Sequence, residues 1–130
     1  MAAIYLDSSA ILKLAVREAE TAALVGYLRR RRPLVSSALA RIEVLRALLP
    51  AGPQAVARGR DVLATIELVR IGDKVLSAAG TLLPNELRSL DAIHLATAGR
   101  LGDQLARLVT YDQRMAGAAQ RLGHRVVSPR

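Results

Sequence analysis

Short apolar runs alternate with longer segments of helical pattern along the whole chain, and this alternation constrains the fold more than any other feature. The strands that it predicts are Ala3–Leu6, Leu34–Ser36, Leu68–Ile71, Leu108–Tyr111 and Arg125–Val127. The helices that it predicts are Ala10–Val16, Glu18–Arg31, Ala38–Leu49, Gln54–Glu67, Asp73–Leu82, Ser89–Leu101 and Gln113–Leu122. Repeated strand–helix alternation is typical of an α/β fold with helices on both faces of a mainly parallel sheet. We therefore predict a three-layer α/β sandwich whose central sheet has four to five short strands.

The size and composition of the chain fit a single domain, residues 1–130. This length is enough to bury a core, and a hydrophobic content of 52% argues against disorder. There is no cysteine, which excludes disulfides, thiolate metal sites and cysteine nucleophiles. The N-terminus has neither a basic leader nor a long apolar stretch. We therefore expect no signal peptide, no membrane span and a cytoplasmic location.

The charge of the chain is strongly positive, with 19 basic against 11 acidic residues and a formal net charge of +8. A basic domain suggests an anionic partner, and nucleic acid is the first candidate. An arginine- and alanine-rich composition alone explains the same bias, so charge leaves both interpretations open. The chain has three Tyr and no Phe or Trp, which gives little support to a base-stacking platform.

Two aspartates are predicted at the carboxyl ends of strands. Asp7 follows the strand Ala3–Leu6, and Asp112 follows the strand Leu108–Tyr111. Parallel strands place their carboxyl ends on one edge of the sheet, which is where α/β folds bind ligands. Either aspartate could simply cap the helix that follows it, because Asp is a favoured N-cap residue. Their shared edge is the first indication of a functional site.

Glu43 lies inside a predicted helix. A projection at about 100° per residue predicts that the buried stripe of this helix consists of Ala38, Leu39, Ile42, Leu45 and Leu49. The projection places Glu43 on the flank of that stripe and Arg46 within it. Glu43 and Arg46, three residues apart, could form a structural ion pair. The alternative is that this face of the helix borders a polar cleft.

Asp91 lies in the first turn of the most apolar predicted helix, where a negative charge complements the helix dipole. The helical projection also aligns Asp91 with Leu95 and Ala98, which predicts that its side chain faces inward. An inward carboxylate needs a partner, a proton or a metal ion.

A cluster of these four acids has a chemical consequence. Carboxylates about 4 Å apart repel by roughly 4 kcal/mol per pair at an effective dielectric near 20, so a cluster needs a cation or protonation. With no cysteine and only two histidines, such a site would be rich in oxygen ligands. Oxygen ligands favour Mg²⁺ or Mn²⁺ over zinc. These ions polarise a phosphodiester and lower the pKa of a bound water, so the site suits phosphodiester hydrolysis.

Four stretches of the chain resemble the motifs of the PIN-domain nuclease superfamily, and in particular of its VapC-type toxins. They are Ile4–Ala10 (IYLDSSA), Ala40–Val44 (ARIEV), Leu90–Ala98 (LDAIHLATA) and Leu108–Met115 (LVTYDQRM). The third stretch is the closest match. All four occur in the order of the family over the whole chain. The resemblance implies a PIN-like sandwich.

The resemblance also implies a function: a Mg²⁺- or Mn²⁺-dependent endoribonuclease, the toxin of a type II toxin–antitoxin pair. It implies an RNA substrate, a homodimer, and inhibition by a cognate VapB-like antitoxin. By motif match, the metal-binding and catalytic acids are Asp7, Glu43, Asp91 and Asp112. Ser9 matches a position that supports the first acid, and Thr110 a position beside the fourth. No acid of the pattern is missing, so nothing indicates an inactive member.

Other residues also invite a functional interpretation. Arg88 and Arg114 flank acids in the motifs and are candidates for contacting a substrate phosphate. His94, three residues after Asp91, could be a metal ligand or a general base, but its apolar helix favours a packed, hydrogen-bonded histidine. The run Arg29–Arg32 is explained as well by a solvated helix end as by contact with RNA.

Two alternative functions remain open from the sequence. One is a PIN-like module that binds RNA or a partner without cleaving it. The other is an aspartyl phosphoryl-transfer domain with Asp7 as the acceptor. The phosphatase pattern of that class has a second acid two residues on, where this chain has Ser9.

Overall fold

The computed structural model describes residues 2–130. Its strands are β1 (Ala3–Leu6), β2 (Leu34–Ser37), β3 (Glu67–Val69), β4 (Leu105–Val109) and β5 (Val126–Val127). Its α-helices are α1 (Ser8–Ala15), α2 (Thr21–Leu28), α3 (Leu39–Leu48), α4 (Pro53–Leu63), α5 (Asp73–Gly80), α6 (Ser89–Arg100) and α7 (Gln113–Arg121). None of these helices is long and apolar enough to cross a membrane. The predicted α/β class is confirmed.

Every pairing in the sheet is parallel, and the strand order is β3-β2-β1-β4-β5. The chain leaves β1 towards β2 and β3, and later returns to place β4 on the other side of β1. This reversal is a topological switch point, where a crevice opens at the carboxyl ends of the strands. Asp7 and Thr110 directly follow β1 and β4, so both residues lie at that crevice.

Helices cover both faces of the sheet, as predicted. Ile4 and Leu6 of β1 enter a core shared with α1, α2, α3 and α4. Ala3 and Tyr5, which point to the opposite face, enter a core shared with α6 and α7. The central strand is buried on both sides, and this burial fixes the position of the turn that carries Asp7.

The buried stripe that the projection predicts for α3 is wrong. The buried residues of α3 are Ala40, Val44 and Leu48. Ile42 and Leu49 are instead 60% and 53% exposed, and Arg46 is exposed as well. The helix packs on α4, where Gly59 permits a close approach: a Cβ atom there would lie 2.5 Å from Leu48 Cδ1. Two faces of α3 are apolar, and contact with α4 decides which one is buried.

Two other predicted elements, one strand and one helix, have different boundaries in the structure. The predicted strand Leu108–Tyr111 begins earlier, at Leu105, because Leu105 pairs with Ala3 of β1. It ends earlier, at Val109, and Thr110 turns into the site instead. The helix predicted to run to Glu67 ends at Leu63, because Glu67 pairs with Val35 as the first residue of β3.

Helix α2 is shorter than predicted at both ends. Thr21 begins it: its hydroxyl accepts a hydrogen bond from the Glu18 backbone and donates to Lys13 O at 2.7 Å. Beyond Leu28, Arg31 and Arg32 donate to the carbonyls of Tyr27 and Leu28. Basic side chains that bind the last free carbonyls cap a helix, so these two arginines have a structural role.

Candidate active site

Asp7 is the most deeply buried of the four predicted acids, at 3% exposure. Its Oδ1 accepts hydrogen bonds from Ser9 Oγ at 2.6 Å and from the backbone of Ala10 at 3.1 Å, so Asp7 also caps α1. Its Oδ2 accepts from Thr110 Oγ1 at 2.5 Å. Burial raises the pKa of Asp7, and the bonds from Ser9 and Thr110 oppose that rise. Because both oxygens are held, the geometry argues against Asp7 as a phosphoryl acceptor.

Ser9 and Thr110 join the turn after β1 to the turn after β4. Besides donating to Asp7, Ser9 Oγ accepts from the backbone of Tyr111 at 3.0 Å. Thr110 Oγ1 likewise accepts from the backbone of Asp112 at 3.0 Å. Each hydroxyl therefore both orients the first acid and fixes the backbone that leads to the fourth.

Glu43 points from α3 into the same crevice. Its Oε1 accepts from Ser8 Oγ at 2.5 Å and lies 2.7 Å from Nε2 of His94. Burial by itself raises the pKa of Glu43, but the hydrogen bonds from His94 and Ser8 outweigh it and hold the pKa below its ordinary value. Among residues 2–130 the side-chain partner of Glu43 on α6 is His94, and Arg46 forms no ion pair with Glu43. Of the two sequence interpretations, the polar cleft is confirmed.

His94 is 2% exposed and links Glu43 to Tyr5. Its Nδ1 lies 2.7 Å from the hydroxyl of Tyr5. An ionised Glu43 can only accept, so in a neutral imidazole Nε2 carries the hydrogen and Nδ1 accepts from Tyr5. The packed, hydrogen-bonded histidine expected from the sequence is confirmed.

The sequence interpretation missed Tyr5 and Ser8. A tyrosine in a buried strand, like a histidine in an apolar helix, needs a polar partner, and this need was the available signal.

Asp91 and Asp112 lie at the same edge of the sheet, but fewer side chains hold them in place than hold Asp7 and Glu43. Asp112 is exposed; its Oδ1 accepts from the backbones of Arg114 and Met115 and so caps α7. Asp91 is half-buried in the first turn of α6. Burial raises the pKa of Asp91, and the negative charge of Asp112 raises it further; His94 lowers it, and Glu43 and Asp7 add smaller upward effects. The structure therefore brings the other three acids within electrostatic reach of Asp91.

The carboxylate oxygens of the four acids are suitable ligands for a hard divalent cation, but they do not surround a preformed metal site. Within residues 2–130 no three acidic or histidine side chains converge into a ready-made metal-binding group. Mg²⁺ is usually held by one or two carboxylates and keeps several waters, so an open edge of oxygen ligands suits it. Burial raises the pKa of Asp91 and the charge of Asp112 adds to that rise, so a bound cation would offset an unfavourable negative charge there.

Arg88 and Arg114 are close in sequence to Asp91 and Asp112, and the structure places Arg88 and Arg114 with Asp91 around one cavity. Arg88 is the N-cap residue of α6, and Arg114 is in the first turn of α7. Together with Asp91 they line a cavity of about 370 Å³ between the two helices. Both side chains are exposed and neither forms an ion pair with any residue from 2 to 130.

The chain belongs to the PIN-domain family, whose model matches residues 4–120. Its similar proteins include Ribonuclease VapC46 of Mycobacterium tuberculosis, 64% identical over 129 residues that cover 99% of both chains. Ribonuclease VapC35 of the same organism is 42% identical over 131 residues, covering 97% of this chain and 96% of the relative. The resemblance to VapC-type toxins is thereby confirmed.

Two solved structures show the same fold. The structure of Mycobacterium tuberculosis VapC20, a toxin that cleaves the sarcin–ricin loop, has a TM-score of 0.75 at 17% identity and covers 97% of this chain and 99% of that one. A chain of a toxin–antitoxin complex from Klebsiella pneumoniae has a TM-score of 0.73 at 23% identity, with 98% of each chain covered. The predicted PIN-like sandwich is confirmed.

Proposed function

We propose that this protein is a cytoplasmic endoribonuclease that hydrolyses RNA phosphodiester bonds with Mg²⁺ or Mn²⁺. The observation that carries the proposal is the uncompensated negative charge at the carboxyl edge of the sheet. Among residues 2–130 none of the four acids pairs with a lysine or an arginine, although the chain carries a net charge of +8. Relatives named as ribonucleases support the same assignment.

The proposed site has two parts: carboxylates that hydrogen bonds hold in place, and a carboxylate that has no such partner. Asp7, held by Ser9 and Thr110, and Glu43, held by His94, offer oriented carboxylates. Asp91 lies among them with its charge uncompensated. A bound Mg²⁺ or Mn²⁺ would polarise the phosphodiester and lower the pKa of the attacking water.

The exposed guanidinium groups of Arg88 and Arg114 can hold the phosphates of the strand next to the acids. The acid edge and its arginine border thus suit a polyanionic substrate that is cleaved at one phosphodiester.

Cleavage of RNA by the purified protein tests the proposal. We expect cleavage with Mg²⁺ or Mn²⁺ and none with EDTA, because the acids alone provide no Lewis acid. Asp7→Asn and Asp91→Asn should each lower the rate by at least about 100-fold. Asp103→Asn is the matched control, since Asp103 is exposed and precedes β4 at the opposite end of the strands. Cleavage that persists in both Asn variants, or that survives EDTA, would contradict the assignment.

We also propose that the protein is the toxin of a VapBC-like pair and works as a homodimer. The VapC-type relatives support the pairing. The exposed Ile42 of α3 and the exposed Leu49, which directly follows this helix, support a second protein surface against it. A short DNA-binding protein encoded immediately upstream should relieve toxicity on co-expression. A monomeric mass by light scattering would contradict the dimer and leave the nuclease assignment intact.

A further inference from the structure

The cavity between α6 and α7 extends away from the acids along one face of α7. Arg114, Gly117, Ala118 and Arg121 of α7 line it at helical positions i, i+3, i+4 and i+7, which share a face. Arg88 closes it from the start of α6. Asp91 also lines it, so the cavity is continuous with the proposed active site. We call it the arginine cavity.

The charges of the arginine cavity suit an anion. Arg88, Arg114 and Arg121 are exposed, and none of them forms an ion pair with any residue from 2 to 130. Two carboxylates, Glu86 and Asp91, also line the cavity, so one positive charge is in excess. Guanidinium groups bind phosphates and carboxylates alike through two parallel hydrogen bonds, so the charges fit a phosphate and the spacing of the arginines distinguishes a nucleic-acid strand from other anions.

The spacing of the arginines suits a chain of phosphates rather than one. Arg121 is two helical turns after Arg114, about 10 Å along the axis at 1.5 Å per residue. A stacked strand advances about 3.4 Å per nucleotide, so the two side chains span more than one nucleotide. Between them Gly117 and Ala118 carry no long side chain, which leaves room for a base or a sugar.

We propose that the arginine cavity is a subsite for the RNA next to the cleaved phosphodiester, and that Arg121 contacts a backbone phosphate beyond it. The proposal rests on the proposed ribonuclease function and deepens it. Arg121 lies outside the four motifs that identify the acids, since the last of them ends at Met115. Arg121 binds substrate in this role and takes no part in the chemical step.

Two variants test the subsite from different directions. Arg121→Ala removes the phosphate contact. Gly117→Leu places an apolar side chain in the cavity, at a position where a Cβ atom meets nothing within 4 Å. The matched controls are Arg100→Ala, an exposed arginine of α6 outside the cavity, and Gly99→Leu, where a Cβ atom likewise meets nothing within 4 Å.

Binding is measured by fluorescence anisotropy with a short, labelled, single-stranded RNA of mixed sequence, in EDTA and at several salt concentrations. We expect Arg121→Ala to weaken binding by roughly threefold to tenfold and to reduce the salt slope by about 0.7, the value of one single-strand phosphate contact. Gly117→Leu should weaken binding by at least about threefold, because it excludes the strand from a pocket of ligand size. Both controls should bind as the unaltered protein does.

Cleavage kinetics with the same RNA distinguish failure of the subsite proposal from failure of the ribonuclease proposal on which it rests. Arg121→Ala should raise KM and leave kcat nearly unchanged, because the lost contact acts on bound and reacting substrate alike. If the unaltered protein cleaves RNA and Arg121→Ala matches Arg100→Ala in Kd, salt slope and KM, the subsite is refuted and the nuclease stands. If the unaltered protein cleaves no RNA, the nuclease proposal fails first. Preferential binding of a labelled acidic peptide, lost in Arg121→Ala, would overturn the RNA subsite in favour of a protein partner.

Discussion

Glu43 and Asp91 are both half-buried carboxylates on helices at the same edge of the sheet, yet their surroundings are opposite. Ser8 and His94 donate to Glu43, and these bonds hold its pKa below the ordinary value despite burial. Burial raises the pKa of Asp91, and the charge of Asp112 adds to that rise. The fold therefore stabilises one negative charge and leaves the other unfavourable.

This difference shows which part of the site the protein stabilises by itself and which part is left for a ligand. The region around Glu43 is complete in the protein alone, because buried donors satisfy the carboxylate. Among residues 2–130 no lysine or arginine forms an ion pair with Asp91, although Arg88 and Arg114 line the same cavity. A site that retains unfavourable charge in the folded state loses stability there, and such losses are common where a ligand binds. We therefore propose that the cation and the RNA phosphates bind in the Asp91 region.

The largest effect on stability is expected from His94→Ala. This change leaves the Tyr5 hydroxyl and part of Glu43 without partners and opens a cavity. We expect the free energy of unfolding to fall by about 2–4 kcal/mol, measured by urea unfolding. His124→Ala, at the only other histidine, is the control and should change little because His124 lies in a half-exposed terminal turn. Equal losses in the two variants would show that the Glu43 region is not held by His94.

Tyr5→Phe should have the next largest effect. It removes only the hydroxyl that donates to His94 Nδ1 and leaves that buried nitrogen unsatisfied. We expect a loss of about 1–2 kcal/mol in the same assay. Tyr27→Phe is the matched control, since it is the ring of Tyr27 that contacts Arg31. A tautomer shift of His94, seen in nitrogen NMR spectra of Tyr5→Phe alone, would sharpen the assignment of the hydrogen to Nε2.

Added Mn²⁺ should stabilise the protein through the Asp91 region. At ten times its Kd, a ligand that binds only the folded state adds about 1.4 kcal/mol to the free energy of unfolding. In Asp91→Asn this gain should largely disappear, whereas Asp103→Asn should keep it. Thermal unfolding with and without Mn²⁺ measures both. If Asp91→Asn gains as much as the unaltered protein, Asp91 is not part of the cation site.

The smallest effect is the pH dependence of stability without metal. The pKa of Asp91 is raised from about 3.8, so the folded protein binds the proton more tightly than the unfolded chain. Stability therefore falls as pH rises from that value through the raised pKa, and Asp91→Asn should remove this fall. Because Asp91 is half-exposed and screened by solvent, we expect a difference below about 1 kcal/mol at neutral pH.

Glu43 should show the opposite sign in the same experiment. Its lowered pKa contributes stability that is present above the ordinary value of 4.5 and is lost as pH falls through the folded-state pKa. Glu43→Gln should remove that contribution. Urea unfolding in EDTA across the acidic range measures both variants. Parallel profiles for Asp91→Asn and Glu43→Gln would contradict the contrast between the two regions.

Much of the fold could be predicted from the sequence because its information is local. Strand–helix alternation predicted the α/β class, and strand ends predicted the edge at which Asp7 and Asp112 lie. The boundaries that failed depend on partners far along the chain: Leu105 joins β4 because Ala3 pairs with it, and Glu67 leaves its predicted helix because Val35 pairs with it.

The candidate acids could be named from the sequence more readily than the side chains that hold them. The motifs named the four carboxylates, but periodicity misplaced the face of α3, because two of its faces are apolar. The bond between Tyr5 and His94 joins residues 89 positions apart. Each residue alone signalled a need for a polar partner. Only the packing of α6 on β1 identifies which partner each one has.

The hydrogen bond between Thr110 and Asp7 determines when, during translation, the active site can assemble. It joins residues 103 positions apart, at the ends of two strands that lie side by side in the sheet. A nascent chain that ends after β3 contains Asp7 and Glu43 but neither Asp91 nor Thr110. It therefore has half of the acids and no neighbour on the β4 side of β1. If the proposed activity is correct, a nascent chain that lacks the last third of the sequence cannot cleave RNA. The active site becomes complete only when this last third has been translated.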